Sequence, residues 1–339
     1  AQAAPGAAPR ARAEAARSWE AYWRAHPQPL PEAIEALNHL VLLAHADGQT
    51  PRERQWQRTL VQAEAAGGAA RTERSRSLAA QAALALADED GEAFRAVALK
   101  EPLQKSLASK KARLETALQA YARVADYGTA EAVTAATFRT AALYQDFGRA
   151  LMDSERPRKL SKLEREQYDV MLEEQAYPFE EKAIGLHETN AARAPQGLYD
   201  RCVRQSFDAL RTLRPARWAK AEREAPCGAG AALTRQGLTA RQDGNFVAAG
   251  QAWAQALKTD SSCAAAALNL GVLNDLYLGS PEEALRWYQQ YQTLAAAQGL
   301  GADAQVGKWI TEVQRRLPKP AAPEAAPNAA SAPAKETTP

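Results

Sequence analysis

The sequence predicts an all-α protein, and three observations carry that prediction. Apolar residues recur at three- and four-residue steps almost everywhere between residues 11 and 317, as in Leu114, Ala117, Leu118, Tyr121 and Val124, and this spacing makes one stripe on a helix. No segment alternates convincingly in the way a half-buried strand would. Helix start and stop signals also recur at short intervals along the chain.

The stripes begin with Trp19, Tyr22 and Trp23, continue with Ile34, Leu37 and Val41, then Trp56 with Leu60, and end with Val306, Ile310, Val313 and Leu317. Thr50-Pro51-Arg52-Glu53 and Ser280-Pro281-Glu282-Glu283 each place a hydroxyl at N-cap, proline at N1 and glutamate at N3, which marks helix beginnings. Ser161-Lys162-Leu163-Glu164 is a third such box, after the basic turn Arg156 to Lys159. Gly48, Gly128, Gly244 and Gly279 stand where helices should stop, in the left-handed conformation that glycine accepts at little cost. Residues 1–10 and 318–339 are rich in Ala and Pro and poor in apolar bulk, so disorder is expected at both ends.

Units of about 34 residues, two helices each, place small residues where helices touch and large ones beside them. With Gly237 as the small residue of a first helix, the turn falls on Gly244, and Phe246, Ala249, Trp253 and Ala256 take the contact positions of the second helix. After 34 residues Gly271 repeats Gly237, followed by Ala284 and Tyr288 with one extra turn residue. This is the tetratricopeptide pattern, and it predicts a right-handed superhelical solenoid of helical hairpins. Gln236 and Ser261 depart from the usual leucine and proline. The expected organisation is degenerate helical hairpins at 11–110, a helical region of the same type at 111–228, and two clear units with a capping helix at 229–317. In such a stack the first helices line a concave face, where the register places Thr234, Leu238 and Arg241, then Asn269, Val272 and Asp275. An extended peptide or a helix could lie there. The lysines of a carboxylate-clamp groove are absent, which argues against recognition of a free acidic C-terminus.

Composition narrows the function classes. Lys and Arg total 42 against 40 Asp and Glu, a net charge of +2 with the signs interspersed, too weak a field to gather nucleic acid. No apolar run reaches the roughly 18 residues of a membrane span. The chain begins Ala1-Gln2-Ala3-Ala4-Pro5, which reads as a mature end after a small-residue signal-peptidase site or as a chosen boundary. Of the cysteines Cys202, Cys227 and Cys263, a Cys202 to Cys227 bridge is conceivable, although small buried hydrophobes is the role expected of them.

Residues 142–190 and 199–222, including YQDFGRALMDSERPRKLSKLEREQYDVMLEEQ and YDRCVRQSFDALRTLRPARWAKAE, resemble the tetratricopeptide-repeat proteins encoded with TonB/ExbB/ExbD-type energised envelope systems. They also resemble the related component of the myxobacterial adventurous gliding machinery. The resemblance implies a periplasmic, or outer-membrane-associated, adaptor in a complex driven by the proton-motive force, with other envelope proteins as partners. That group includes lipoproteins, whereas no cysteine stands near residue 1.

Enzymatic motifs are missing from the pattern, so no catalytic residue, metal ligand or cofactor is assigned. His39 and His45, the closest histidine pair, lie six residues apart, about 240° round a helix, and cannot share a metal on one face. His187 follows Glu180 and Glu181 in a glutamate-rich helix, which reads as a solvated acidic face rather than paired catalytic carboxylates. Gly301 to Lys308 lacks the spacing, the following Ser or Thr and the preceding strand of a phosphate loop. Trp19, Tyr22, Trp23 and Trp56 are expected in the core. The function expected is a non-enzymatic interaction scaffold; the alternatives are a general structural or self-associating module and, behind it, a helical-superstructure enzyme of peptidoglycan metabolism.

Overall fold

A computed structural model describes residues 7–224 and 227–318. Among these residues there are fourteen α-helices and no strand, as the spacing predicts. The chain forms two compact units, Ala1–Lys220 with Tyr277–Gly279, and Ala221–Leu276 with Ser280–Pro339. The regions expected at 11–110 and 111–228 therefore share the first unit as far as residue 220. No helix among the described residues is long and apolar enough to cross a membrane.

The first unit contains α1 (Ala7–Ala25), α2 (Leu30–Ala46), α3 (Thr50–Ala65), α4 (Glu73–Arg95), α5 (Leu103–Ala125), α6 (Ala130–Met152), α7 (Lys162–Ala191), α8 (Arg201–Leu213) and the short α9 (Pro215–Trp218). Each packs chiefly on its neighbour in the chain, which short links favour. Residues 7–10, expected to be disordered, are helical instead, because alanine and arginine are among the best helix formers. Residues 1–6 and 319–339 lie outside the described residues.

The start signals meet with mixed outcomes. Ser161 forms the full capping box, its Oγ accepting from the Glu164 N–H at 3.4 Å while Glu164 Oε2 accepts from the Ser161 N–H at 2.8 Å. Thr50, however, is the first residue of α3 rather than its cap, and Ser280 holds the cap position of a later helix without a side-chain cap bond. Proline in the first turn of both helices presets φ, so they start without the hydroxyl. Gly128 and Gly244 adopt φ of 71° and 81°, the left-handed values that end α5 and α10 (Ala231–Gln242).

Two apolar clusters among the described residues lie in the first unit. Leu30, Ile34, Leu37, Leu40, Trp56 and Leu60 form one, with Trp19 and Trp23 half-buried against it. Tyr22 stays exposed, so the aromatic stripe is only partly core. Phe94, Leu114, Tyr121, Val124, Leu143 and Phe147 form the other. Alanines at the helix contacts, such as Ala117, Ala141 and Ala183, are wholly buried. Several polar groups inside are paired. Tyr121 Oη donates to Asp88 at 2.8 Å and Arg139 Nε to the same oxygen at 2.9 Å, tying α4, α5 and α6. Lys110, 2% exposed, donates from Nζ to the carbonyls of Phe94 and Val97 at 3.1 and 2.8 Å. It thereby satisfies the C-terminal end of α4, where carbonyls lack helical partners.

The glutamates Glu173, Glu174 and Glu180 are exposed as expected, but His187 is not among them: it is wholly buried. Its Nδ1 lies 3.2 Å from Ser206 Oγ and its Nε2 3.2 Å from Gln145 Oε1. Asn190 Nδ2 also donates to Ser206 Oγ and to the Thr134 carbonyl, both at 3.0 Å. The result is a closed network that joins α6, α7 and α8.

The second unit holds α10, α11 (Phe246–Thr259), α12 (Ala264–Val272), α13 (Pro281–Ala297) and α14 (Ala304–Arg316). Its two hairpins share one contact. A Cβ added at Gly237 would stand 2.4 Å from Trp253 Nε1, and one added at Gly271 would stand 2.5 Å from the Tyr288 ring. Trp253 Nε1 donates to the Thr234 carbonyl at 3.0 Å, which satisfies the buried indole. A disulfide joins Cys227 to Cys263 with Cα atoms 4.7 Å apart. The conceivable Cys202 to Cys227 pairing is therefore replaced, and Cys202 is a free, half-buried thiol whose pKa burial pushes up.

Two predictions follow the packing. Gly237→Ala and Gly271→Ala gain about 1 kcal/mol of helix propensity but must displace a buried ring, at about 1–3 kcal/mol or more. A net loss is expected in urea unfolding. Gly185→Ala in α7, with open space at its Cβ, should instead stabilise. Burial also lowers the His187 pKa to about 4. The unfolded chain then binds the extra proton below about 6.5, so stability falls as pH drops from about 6.5 to about 4 and levels off beneath. Between pH 7 and 4.5, His187→Gln should lose about 2–3 kcal/mol less than the parent, read from urea midpoints at the two pH values.

Candidate functional site

The face assigned by the repeat register is largely closed to partners. Thr234, Asn269, Val272 and Asp275 are buried, while Leu238 and Arg241 are half-buried. Val272 lies in apolar packing. Thr234 Oγ1 donates to the Gly230 carbonyl at 3.1 Å. Asp275 accepts from Tyr288 Oη at 3.2 Å and pairs with Arg316, so it ties α13 and α14 together. These three positions serve the interior of the unit, which corrects the expectation that they face a ligand.

Asn269 and Arg241 do meet a peptide, and it is the chain's own. Residues 221–224, which form no helix, run as a strap against α10, α12 and α13. The Arg223 N–H donates to Asn269 Oδ1 at 2.8 Å, and Asn269 Nδ2 donates to the Arg223 carbonyl at 3.0 Å. One carboxamide thus matches both the donor and the acceptor of a single residue's backbone. That pairing reads main chain without regard to side chain.

The flanking side chains add selectivity. Arg241 Nη2 donates to Glu222 Oε2 at 3.1 Å, and Arg241 Nε approaches Oε1 to 2.7 Å as an ion pair. Arg223 Nη1 donates to Tyr291 Oη at 2.7 Å and to Asp303 Oδ2 at 2.6 Å, and its guanidinium stands 5.6 Å from the centre of the Tyr291 ring. Asp303 is held on every side. Its Oδ1 caps α14 through the Gln305 and Val306 N–H groups, and Tyr291 Oη donates to its Oδ2 at 3.0 Å. Gln292 grips the Asp303 backbone as Asn269 grips Arg223, donating to its carbonyl at 2.7 Å and accepting from its N–H at 2.9 Å. Burial raises the Asp303 pKa, but the bonds from Arg223, Val306 and Tyr291 outweigh it and the net direction is down. The carboxylate is therefore ionised wherever it meets Arg223.

Together these groups match the chain's own Glu222 and Arg223: a cation for the first side chain, an anion with an aromatic face for the second, and a clamp on the backbone between. Sequence spacing singled out Asn269 and Arg241. It did not single out Glu222, Arg223, Tyr291 or Gln292, because a segment between helices has no periodicity to reveal what it touches. Compared with protein-family models and with curated proteins, the chain matches none.

Asn269→Ala should release the strap, since it leaves a backbone donor and acceptor unmatched at about 1–3 kcal/mol. The expected result is faster tryptic cleavage after Arg223 in the folded protein, timed by mass spectrometry, with cleavage after Arg286 in α13 unchanged.

Proposed function

We propose that this chain is a non-enzymatic protein-interaction scaffold of the tetratricopeptide type, a right-handed solenoid of helical hairpins that holds a partner peptide where the strap lies. The observation that carries the reading is the two-way bond between the Asn269 carboxamide and the Arg223 backbone. It is the chemistry of peptide recognition, and it operates here on a natural peptide. Partners would present an acidic residue followed by a basic one in non-helical conformation. The resemblance of residues 142–190 and 199–222 supports a place in the periplasm, in outer-membrane association, within a TonB/Tol-like or gliding complex driven by the proton-motive force.

A tethered strap competes with any partner at high effective concentration, so apparent affinity is reduced by the fraction of time the site is open. A second reading, a structural or self-associating module with a permanently filled site, draws on the same occupancy. The two differ in what happens when the strap is weakened.

Crosslinked pull-downs from envelope fractions separate them, with three folded proteins: the parent, Glu222→Ala/Arg223→Ala to loosen the strap, and Arg241→Glu to reverse the receptor charge. The scaffold reading expects TonB/ExbB/ExbD-type or gliding-complex proteins in the order strap-weakened, parent, charge-reversed. Equal recovery by all three would place the binding surface elsewhere. Absence of such proteins from every sample would remove the motor connection and leave the structural module.

A further inference from the structure

A cavity of about 470 Å³ opens between α3, α4 and α5 of the first unit, within the size range of small-molecule sites. Val61, Leu86, Ala87, Ala120 and Tyr127 give it an apolar wall. At its edge stands Glu64, wholly buried. Arg71 Nε donates to Glu64 Oε1 at 2.6 Å, but Oε2 is buried with no hydrogen-bond partner. An ionised carboxylate accepts up to about four bonds, and leaving one oxygen bare out of water is costly.

Carboxylates outnumber guanidinium groups in the lining, three to two. Glu64 lies in the last turn of α3, and Asp126 is the C-cap of α5, so both sit at helix ends that carry partial negative charge. Asp90 adds a third carboxylate, against Arg71 and Arg123, and Arg71 is already committed to Glu64. Beyond that pair, Asp90 and Asp126 outnumber Arg123, which disfavours a bound anion. A metal ion fits poorly as well, since no group of three His, Cys, Asp or Glu among the described residues could hold one. An N–H donor that carries positive charge answers both the bare oxygen and the field, and the apolar wall asks for a hydrocarbon body beside it.

We propose that this cavity binds a small primary ammonium compound with an apolar body, its ammonium donating to Glu64 Oε2 and its body lying along Leu86, Ala87 and Tyr127. The site is separate from the strap receptor and independent of the reading given for it.

The test is calorimetric titration of the full chain with three probes of like shape: 2-phenylethylammonium, 2-phenylethanol and 3-phenylpropionate. Saturable binding of the ammonium, roughly tenfold or more tighter than the alcohol and with no binding of the carboxylate, is expected. Leu86→Trp, which adds bulk to the wall along which the apolar body lies, should weaken it roughly tenfold or more, and Glu64→Gln should weaken it roughly tenfold. If Glu64→Gln does not fold, Leu86→Trp and the parent's selectivity decide. No saturable ammonium binding at millimolar concentration, equal binding of alcohol and ammonium, or binding undiminished in Leu86→Trp would each overturn the proposal, the first leaving Glu64 to a water molecule.

Discussion

Helices in this protein can approach one another closely only because their contact positions are alanine or glycine, and much of what else is observed depends on that steric permission. Ala117, Ala141, Ala183, Ala249, Ala256 and Ala284 are wholly buried at helix contacts, and their small side chains leave gaps that larger neighbours must fill. Trp253 over Gly237 and Tyr288 over Gly271 are such fillings. The same economy in the first unit brings Tyr121 against Gly91, where an added Cβ would stand 2.7 Å from its hydroxyl. A chain with 46% apolar residues but so much alanine gains its dispersion energy from closeness rather than from side-chain bulk.

Close helices leave little room for water, so buried polar groups must be matched by other parts of the chain. The matches share a form: a side chain satisfies backbone at a place where helical bonding has stopped. Lys110 does this for the end of α4, Gln292 for Asp303 and Asn269 for Arg223. Each fixes the path of a connecting segment, which an apolar contact would not do, because hydrogen bonds are directional and hydrophobic contacts are not. Glu64 Oε2 and Trp218 Nε1 are exceptions among the described residues, and an unmatched carboxylate oxygen at the edge of a cavity is a different object from an unmatched group in a packed core.

In the scaffold we propose, the peptide site is built from the groups that already hold the strap. The groups that hold the strap are of the kind that hold a separate peptide: a carboxamide for main chain, a cation and an anion for side chains. The Cys227–Cys263 bond pins the chain three residues beyond Glu224, which shortens the tether and raises the strap's effective concentration. Glu222 and Arg223 of the strap neutralise Arg241 and Asp303. The cost of opening is then set by a few charge-assisted bonds, each of which is modest in net terms.

Sequence alone determined the all-α class, the positions of most helix ends, and which glycines face an aromatic ring, because those features rest on local steric rules repeated at helical spacing. Ser161 with Glu164, the left-handed Gly128 and Gly244, and the Gly237 and Gly271 register are all legible that way. Tertiary structure alone decided that Cys227 pairs with Cys263, that His187 lies inside rather than among its exposed glutamates, and that Val272 and Asp275 face the interior. It also decided that Asn269 already holds Arg223, 46 residues away. Spacing tells which side of a helix a residue occupies, but what lies against that side comes from distant parts of the chain, and contacts at long sequence separation leave no periodic trace.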